Sequence, residues 1–328
     1  VADEIEWNKK EESKDPEKAI GKGFAIFWKA PAMPPNVSTT AFLKFNGDGS
    51  VNLLVSGMEI GQGYQAAMAQ IAAEILTIPP EKIRVELPDT DRNPYHWQTV
   101  ASHVTWASGN AVKRAAIEAR EKIFDVISRA YHFNKDSLYL EDEKVKCHTK
   151  PDFEIALKNF VIEGIMKEDG YYVGQNIVAS GQFFVEFASA LQDPETSQGG
   201  HPNVHYTVGA AAIKIEIDKQ TGKIKVLKAA EALDVGKAIN PINVRDQMIG
   251  GLLQGLATAL YEDMRFDKNG KILNPNFTDY KIPTALDIPE EVVPIIVEVP
   301  QPDGPFGARG MGEHPMIPAA PMIANAVE

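Results

Sequence analysis

The chain has 328 residues, 44% of them hydrophobic, a formal net charge of −12 and a single cysteine, Cys147. That apolar content supports one large domain or two lobes with real cores. The acidic balance argues against nucleic acid as a partner, and the lone cysteine rules out a disulfide framework or a cysteine-ligated cluster within this chain. No apolar run reaches the roughly 18 residues of a membrane span and the N-terminus lacks a signal-peptide pattern; the single cysteine points to a cytoplasmic setting, with redox clusters supplied elsewhere.

Residues 1–22 are charged and poor in apolar side chains, which predicts an arm draped on the surface rather than part of a core. GFAIFWKAP follows, holding Phe27 and Trp28. TTAFLKF and VNLLVS, flanking NGDGS, predict a hairpin. After it, GMEIGQGYQAAMAQIAAEIL predicts a strand end, a glycine turn (Gly61-Gln62-Gly63) and a helix with Ala66, Ala67, Ile71, Ala72 and Ile75 at helical spacing. Free N–H groups at such a helix start suit an anionic or polar ligand, and glycines let it approach. Taken alone the triplet is weak, because many such turns carry glycine for steric reasons.

KIRVEL reads as a strand. TVASHV precedes SGNAV and a long helix whose apolar positions include Val112, Ala115, Ile123, Val126 and Ile127. Ser108 reads as the N-cap of that helix, which leaves Ala101 and Ser102 without a capping role. A small strand pair (SLYLEDEKVKC), a helix (FEIALKNFVIEGI) and a polar crossover loop at 187–204 complete the first part.

Two alternating runs around DKQTGK predict a second hairpin. Asp234, Asn240 and Pro241 mark a turn into a glycine-rich apolar helix. Gln247 and Gln254 lie seven residues apart on nearly one face of it, and Gln254, enclosed by GGLL and GLA, reads poorly as a solvated amide. A hairpin (FDKNGKIL) and a strand (PIIVEV) lead to GPFGARGMGEHP. Four glycines lie within nine positions there, and Glu313 follows the last of them, Gly312. A lone carboxylate on a tight glycine loop, before the apolar helical run IPAAPMIANAVE, is a good place for a general base with a raised pKa. A surface loop whose glutamate caps the following helix is the competing reading, and this segment alone leaves both open. None of the seven histidines makes a His-Glu-x-x-His or other metal-ligand pattern.

Six stretches, GMEIGQG, TVASHV, DVGKAINP, QMIGGLLQGL, TDYKIPTALDIP and GARGMGEHP, occur in an order that resembles the molybdenum hydroxylases, the xanthine oxidase family. The resemblance runs from about Gly21 to the end and is to the second half of that family's molybdopterin-binding subunit. It implies an α+β fold of two mixed α/β lobes, at 23–190 and 191–328, the second carrying the glutamate loop, with the charged arm at 1–22. It implies that Glu313 is the base beside molybdenum. Ile60, Gly61, Gln62 and Gly63 would hold the pterin and pyrophosphate, and Ala101, Ser102, His103 and Val104 would pack against the cofactor, with Gly312 beside it. Gln247 would supply an amide to the metal's apical ligand or the pterin, and Phe27 and Trp28 an aromatic wall for substrate.

The implied cofactor is molybdopterin cytosine dinucleotide, its metal carrying a terminal sulfido or selenido ligand and taking no direct protein ligand. Implied partners are a large molybdopterin subunit with the first half, a small iron–sulfur subunit with [2Fe-2S] clusters and a subunit with FAD. The implied chemistry adds water-derived oxygen to a carbon next to a ring nitrogen of an N-heteroaromatic substrate. Nicotinate to 6-hydroxynicotinate with NADP as final acceptor is the preferred reaction. Purine or aldehyde hydroxylation and a non-catalytic scaffold stand as alternatives.

Overall fold

A computed structural model describes residues 1–31, 37–186 and 192–328. In chain order the regular elements are β1 (Lys18–Lys29), β2 (Ser38–Phe45), β3 (Val51–Leu54), α1 (Tyr64–Leu76), β4 (Ile83–Val85) and α2 (Val104–Tyr131). Then come β5 (Leu138–Glu141), β6 (Lys144–Cys147), β7 (Lys150–Ala156), β8 (Ile165–Met166), β9 (Tyr172–Val173) and β10 (Val178–Phe184). The remainder are β11 (Thr207–Asp218), β12 (Ile224–Asp234), α3 (Pro241–Leu260), β13 (Glu291–Val297) and α4 (Ala319–Val327). No helix among the described residues is long and apolar enough to cross a membrane.

The chain forms two units that are discontinuous in sequence, where the sequence reading placed contiguous lobes. The first comprises Val1–Pro31, His205–Val299 and Met311–Glu328, and the second Ala32–Val204 and Pro300–Gly310. The expected boundary at 190/191 and the first part of the predicted crossover, 187–191, lie outside the described residues.

The first unit is a four-stranded mixed sheet in the order β1-β11-β12-β13. Strand β1 pairs antiparallel with β11 along its whole length, from Lys18 opposite Asp218 to Lys29 opposite Thr207. One face of the sheet carries Ala25, Ala211, Ile213, Ile215 and Ala229, packed on Leu252 and Leu256 of α3 and Met322 and Ala326 of α4. The contact is close enough that a Cβ at Gly21 or Gly23 would stand 1.9 or 1.8 Å from the carbonyl oxygens of Ala326 or Met322. This is backbone-on-backbone packing that only glycine permits.

The opposite face receives the N-terminal arm. Lys22, Lys214 and Lys228 are register neighbours across β1, β11 and β12. Glu11 bonds to Lys22 at 3.0 Å and Lys214 at 2.9 Å, and Glu4 to Lys228 at 3.0 Å. The two lysines hold the Glu11 carboxyl down at about 2. Ile5 is fully buried, and Trp7 meets Phe24 at 6.4 Å between ring centroids. The arm therefore docks on the sheet, and its last residues, from Lys18, already belong to β1. Composition hid this, because the apolar anchors are only Ile5 and Trp7 and the rest of the docking is ionic.

The second unit holds another mixed sheet, β10-β2-β3-β4. The β2–β3 hairpin forms as predicted, and β4 adds in parallel to β3. Helix α2 lies on this sheet, and a Cβ at Gly181 of β10 would stand 2.0 Å from the Ala111 carbonyl oxygen. Strands β5-β6-β7 make a small meander.

Four expectations change. Helix α2 starts at Val104, so Ser108 is not its cap but a fully buried residue one turn inside. FEIALKNFVIEGI is not a helix: Phe153 and Ile155 belong to β7, which pairs with β6. Strand β10 went unread, because Ala179 and Gly181 lower its apparent hydrophobicity although its burial alternates strictly. FDKNGKIL makes a single bridge, Phe266 to Ile272, rather than a ladder.

Candidate functional site

The predicted site residues fall into two groups, one in each unit. In the first unit, Glu313 precedes a 3₁₀ turn at His314–Met316 and stands at its N-cap position, yet its side chain makes no cap hydrogen bond. The capping alternative is thus not what this carboxylate does. Its Oε2 lies 2.8 Å from Nζ of Lys29, the last residue of β1. The lysine side chain is 16% exposed and the glutamate 56%, so the cation is the enclosed partner and the carboxylate the one presented.

His314 beside it is buried, and its imidazole is pushed down to about 3, first by burial and then by the charge of Lys29, with Glu313 opposing. The Gly312 N–H donates to its Nδ1 at 3.4 Å. A neutral imidazole therefore flanks the carboxylate across the physiological range. On α3, Asn240 caps the helix by accepting from the Asn243 N–H. Gln247 is half-buried, whereas Gln254 is exposed. Glycine neighbours gave the impression of enclosure, but it is Gly251 and Gly255 that face the glutamate loop, where a Cβ would meet Pro315 at 2.9 Å and the Met316 carbonyl oxygen at 2.5 Å.

Phe27 and Trp28 leave β1 on opposite faces, as adjacent strand residues must. Phe27 packs with Leu233, Val235 and Met248, and a Cβ at Gly209 would stand 2.3 Å from its ring. Trp28 is 74% exposed and meets Tyr206 at 5.5 Å between ring centroids. The two do not form one wall. Tyr206, which the sequence reading did not single out, is the aromatic that Trp28 joins.

In the second unit, the Ile60–Gly63 loop enters α1. Gly61 and Gly63 take φ of +104° and +79°, values that favour glycine. The N–H groups expected to be free are not: the Glu59 carboxylate accepts from Gly61 at 3.0 Å, Gly63 at 2.9 Å and Gln65 at 3.0 Å. Gln62 turns inward as well, accepting from the Ile60 N–H at 2.7 Å and donating to the Met58 carbonyl at 2.8 Å. The chain's own carboxylate satisfies the helix start. What remains open is space, since nothing lies within 4 Å of where a Gly61 Cβ would stand.

Ala101 and Ser102 are both left-handed, with φ of +54° and +56°. His103 follows as the fully buried N-cap of α2; its Nδ1 meets the Val100 carbonyl, and its ring lies near His96 and Trp97. Val104 begins the helix and is buried. Gly310 presses on this pair from the 300–310 stretch, where a Cβ would stand 1.8 Å from the Ser102 carbonyl oxygen. Asn110 ties the same stretch down by donating to the Asp303 carbonyl at 2.8 Å. Asn110 and Gly310 were not read from the sequence as site-forming; the GARG glycines were their only signal.

A family model described as molybdopterin cofactor-binding domain matches residues 1–289. The gamma subunit of the 6-hydroxypseudooxynicotine dehydrogenase complex of Paenarthrobacter nicotinovorans is 28% identical over 94% of this chain and 37% of its own length. The nicotine 6-hydroxylase large subunit of the same organism is 28% identical over 97% of this chain and 38% of its own. Among solved structures, reconstituted CO dehydrogenase from Oligotropha carboxidovorans superposes with a TM-score of 0.81 at 25% identity, over 99% of this chain and 39% of that one. Quinoline 2-oxidoreductase from Pseudomonas putida shares the fold at a TM-score of 0.82 and 24% identity, over 95% and 39%. The chain belongs to the molybdenum hydroxylase family, as part of its molybdopterin-binding subunit. It spans under two-fifths of the length of these relatives.

Proposed function

We propose that this chain carries the second half of a molybdopterin-binding unit, comparable to the medium molybdopterin subunit of a bacterial nicotinate dehydrogenase. It hydroxylates an N-heteroaromatic substrate, nicotinate first, at a carbon next to the ring nitrogen. Two relatives whose names refer to nicotine and a hydroxypseudooxynicotine support a pyridine-type ring over an aldehyde, while a relative named for xanthine at the same 28% identity keeps a purine as the second reading. The companion chains are a large molybdopterin subunit, an iron–sulfur subunit and an FAD subunit, with NADP as final acceptor.

The residues fit a molybdopterin group. Gly61 offers open space at a backbone position a side chain would fill, and Ala101 and Ser102 hold a backbone shape that local preferences alone would not give. Ile60–Gly63, Ala101–Val104, Gln247 and Gly312 are the residues we assign to holding the cofactor, in its cytosine dinucleotide form. Because Glu59 already takes the loop's N–H groups, we assign the Gly61 contact to close backbone approach rather than to anion capture. When bound, the cofactor supplies the two-electron chemistry that moves oxygen from water to carbon, with a terminal sulfido or selenido ligand.

Glu313 takes up the proton at its carboxylate as oxygen is delivered. His314, neutral beside it, adds no competing charge. The observation that carries this reading is the Glu313 carboxylate itself, held by Lys29 and half-exposed instead of spent on the turn that follows it. A scaffold has no need of that arrangement. Glu313→Gln in the assembled complex is expected to keep molybdenum content and to lower turnover roughly 10²–10⁴-fold, as loss of a general base does. Near-wild-type turnover at full molybdenum occupancy would refute the assignment.

A further inference from the structure

We propose that Lys29 is a positioning residue for Glu313, holding the carboxylate at the end of β1 and presenting it outward. The inference rests on the reading of Glu313 as the base.

Three observations support it. The Glu313 backbone is helical, at φ −80° and ψ −12°, which does not set its carboxylate over the first N–H groups of the turn, and it makes no cap hydrogen bond. Its Oε2 lies instead 2.8 Å from Nζ of Lys29. Lys29 is itself fixed, as the last residue of a strand paired along its full length and lying opposite Thr207, which is 1% exposed. Finally, the glutamate loop is anchored to the same strand, because α4, which follows the loop, packs its backbone on Gly21 and Gly23 of β1. Strand β1 thus holds the loop's far end and supplies the cation that aims its carboxylate.

The chemistry suits a lysine. Its ammonium is a point charge with three donors and sets no fork geometry, so the carboxylate keeps freedom to turn toward a proton donor. His314 is held neutral by burial, and His205 acts on His314 as another repelling group.

The test uses the assembled complex, with Lys29→Met, Lys29→Arg, Glu313→Gln and the double variant Lys29→Met/Glu313→Gln. Misplacing a reacting group by about an ångström costs up to about a hundredfold in rate. Lys29→Met is therefore expected to lower kcat about ten- to a hundredfold with KM and molybdenum content unchanged, and Lys29→Arg to recover most of the loss. In the Glu313→Gln background, Lys29→Met should cost nothing more. A crystal structure of the Lys29→Met complex, with or without cofactor, should show the Glu313 carboxylate displaced from its place beside the end of β1. If the methionine variant does not accumulate, Lys29→Gln removes the charge with less loss of polarity and reads the same split. Unchanged kcat in Lys29→Met, a full additional loss in the double variant, or an unmoved Glu313 carboxylate would each overturn the proposal. Full turnover in Glu313→Gln alone is a separate failure, because it removes the base reading on which the proposal stands.

Discussion

Ala101 and Ser102 sit side by side at φ +54° and +56°, a conformation that L-residues with a Cβ enter at a cost of about 1 kcal/mol or more each. The cost is sustained by Gly310, whose lack of a side chain lets its backbone reach the Ser102 carbonyl. Two outcomes follow for urea unfolding of the complex. Ala101→Gly should raise stability by up to about 1 kcal/mol, since glycine accepts the left-handed region without strain. Gly310→Ala should lower it by about 3 kcal/mol or more, since a Cβ 1.8 Å from a backbone oxygen forces the loop apart. If Gly310→Ala is neutral, the two stretches do not depend on each other. From the residues alone, Ala101 and Ser102 were recognisable as unexplained by capping, but not as strained. Backbone torsion is imposed by what packs on the loop, and Gly310 is more than two hundred positions away in the chain.

Strand β12 carries a charge-bearing residue where an apolar one would be expected. Glu231 is 1% exposed, and neither carboxylate oxygen has a hydrogen-bond partner among the described residues. Its register neighbours are Ala211 and Pro294, and Ala229 and Leu233 flank it on the strand. Helix α4 has no ionisable side chain, and on α3 both Arg245 and Asp246 are exposed. Burial alone therefore pushes the carboxyl from its ordinary 4.5 up to about 9. Between those pH values the folded chain binds a proton that the unfolded chain has released. Stability should then fall as pH rises, by about 1.4 kcal/mol per pH unit, until the folded carboxyl itself ionises near 9. Glu231→Gln should flatten this slope, matching the wild type near pH 4.5 and exceeding it at pH 8 in denaturant titrations. Equal slopes would mean that the carboxyl finds a partner in solution.

This element was legible as a strand from its alternation, yet Glu231 raised no flag, because an acidic residue in an alternating strand ordinarily points to solvent. The β2–β3 and β11–β12 hairpins, α1 and α3 were legible for the same reason that Glu231 was not: they obey local periodicity. Strand β7 and the true start of α2 were lost because β6 and the buried position of Ser108 override local preference.

At the scale of the whole molecule, the outer face of the first unit's sheet is only partly clothed. The arm covers the Lys22–Phe24 end, while Ile26, Trp28, Tyr206 and Val208 stay exposed, between 50 and 77%. An apolar and aromatic face of this kind marks an interface. We propose that its occupant is the other half of the molybdopterin-binding unit, across a contact above the ~2,000 Å² at which obligate interfaces begin. Expression of these 328 residues alone is expected to give insoluble or cofactor-free protein, and coexpression with the other half of the unit to restore solubility and molybdenum content. A soluble monomer that hydroxylates substrate unaided would overturn that assignment.

The sequence by itself determined the family and the order of the glycine loops, one of which carries Glu313, because these are set by residue types whose backbone freedom and charge act locally. Only the tertiary structure decided the partners. Lys29 meets Glu313 across 284 positions because the β1–β11 register brings a strand end to a loop. Glu59 fills the N–H groups that the glycine turn left available. The arm becomes a docked segment because three lysines align across three strands. Each of these depends on which surfaces meet in space, and spacing along the chain carries no record of that.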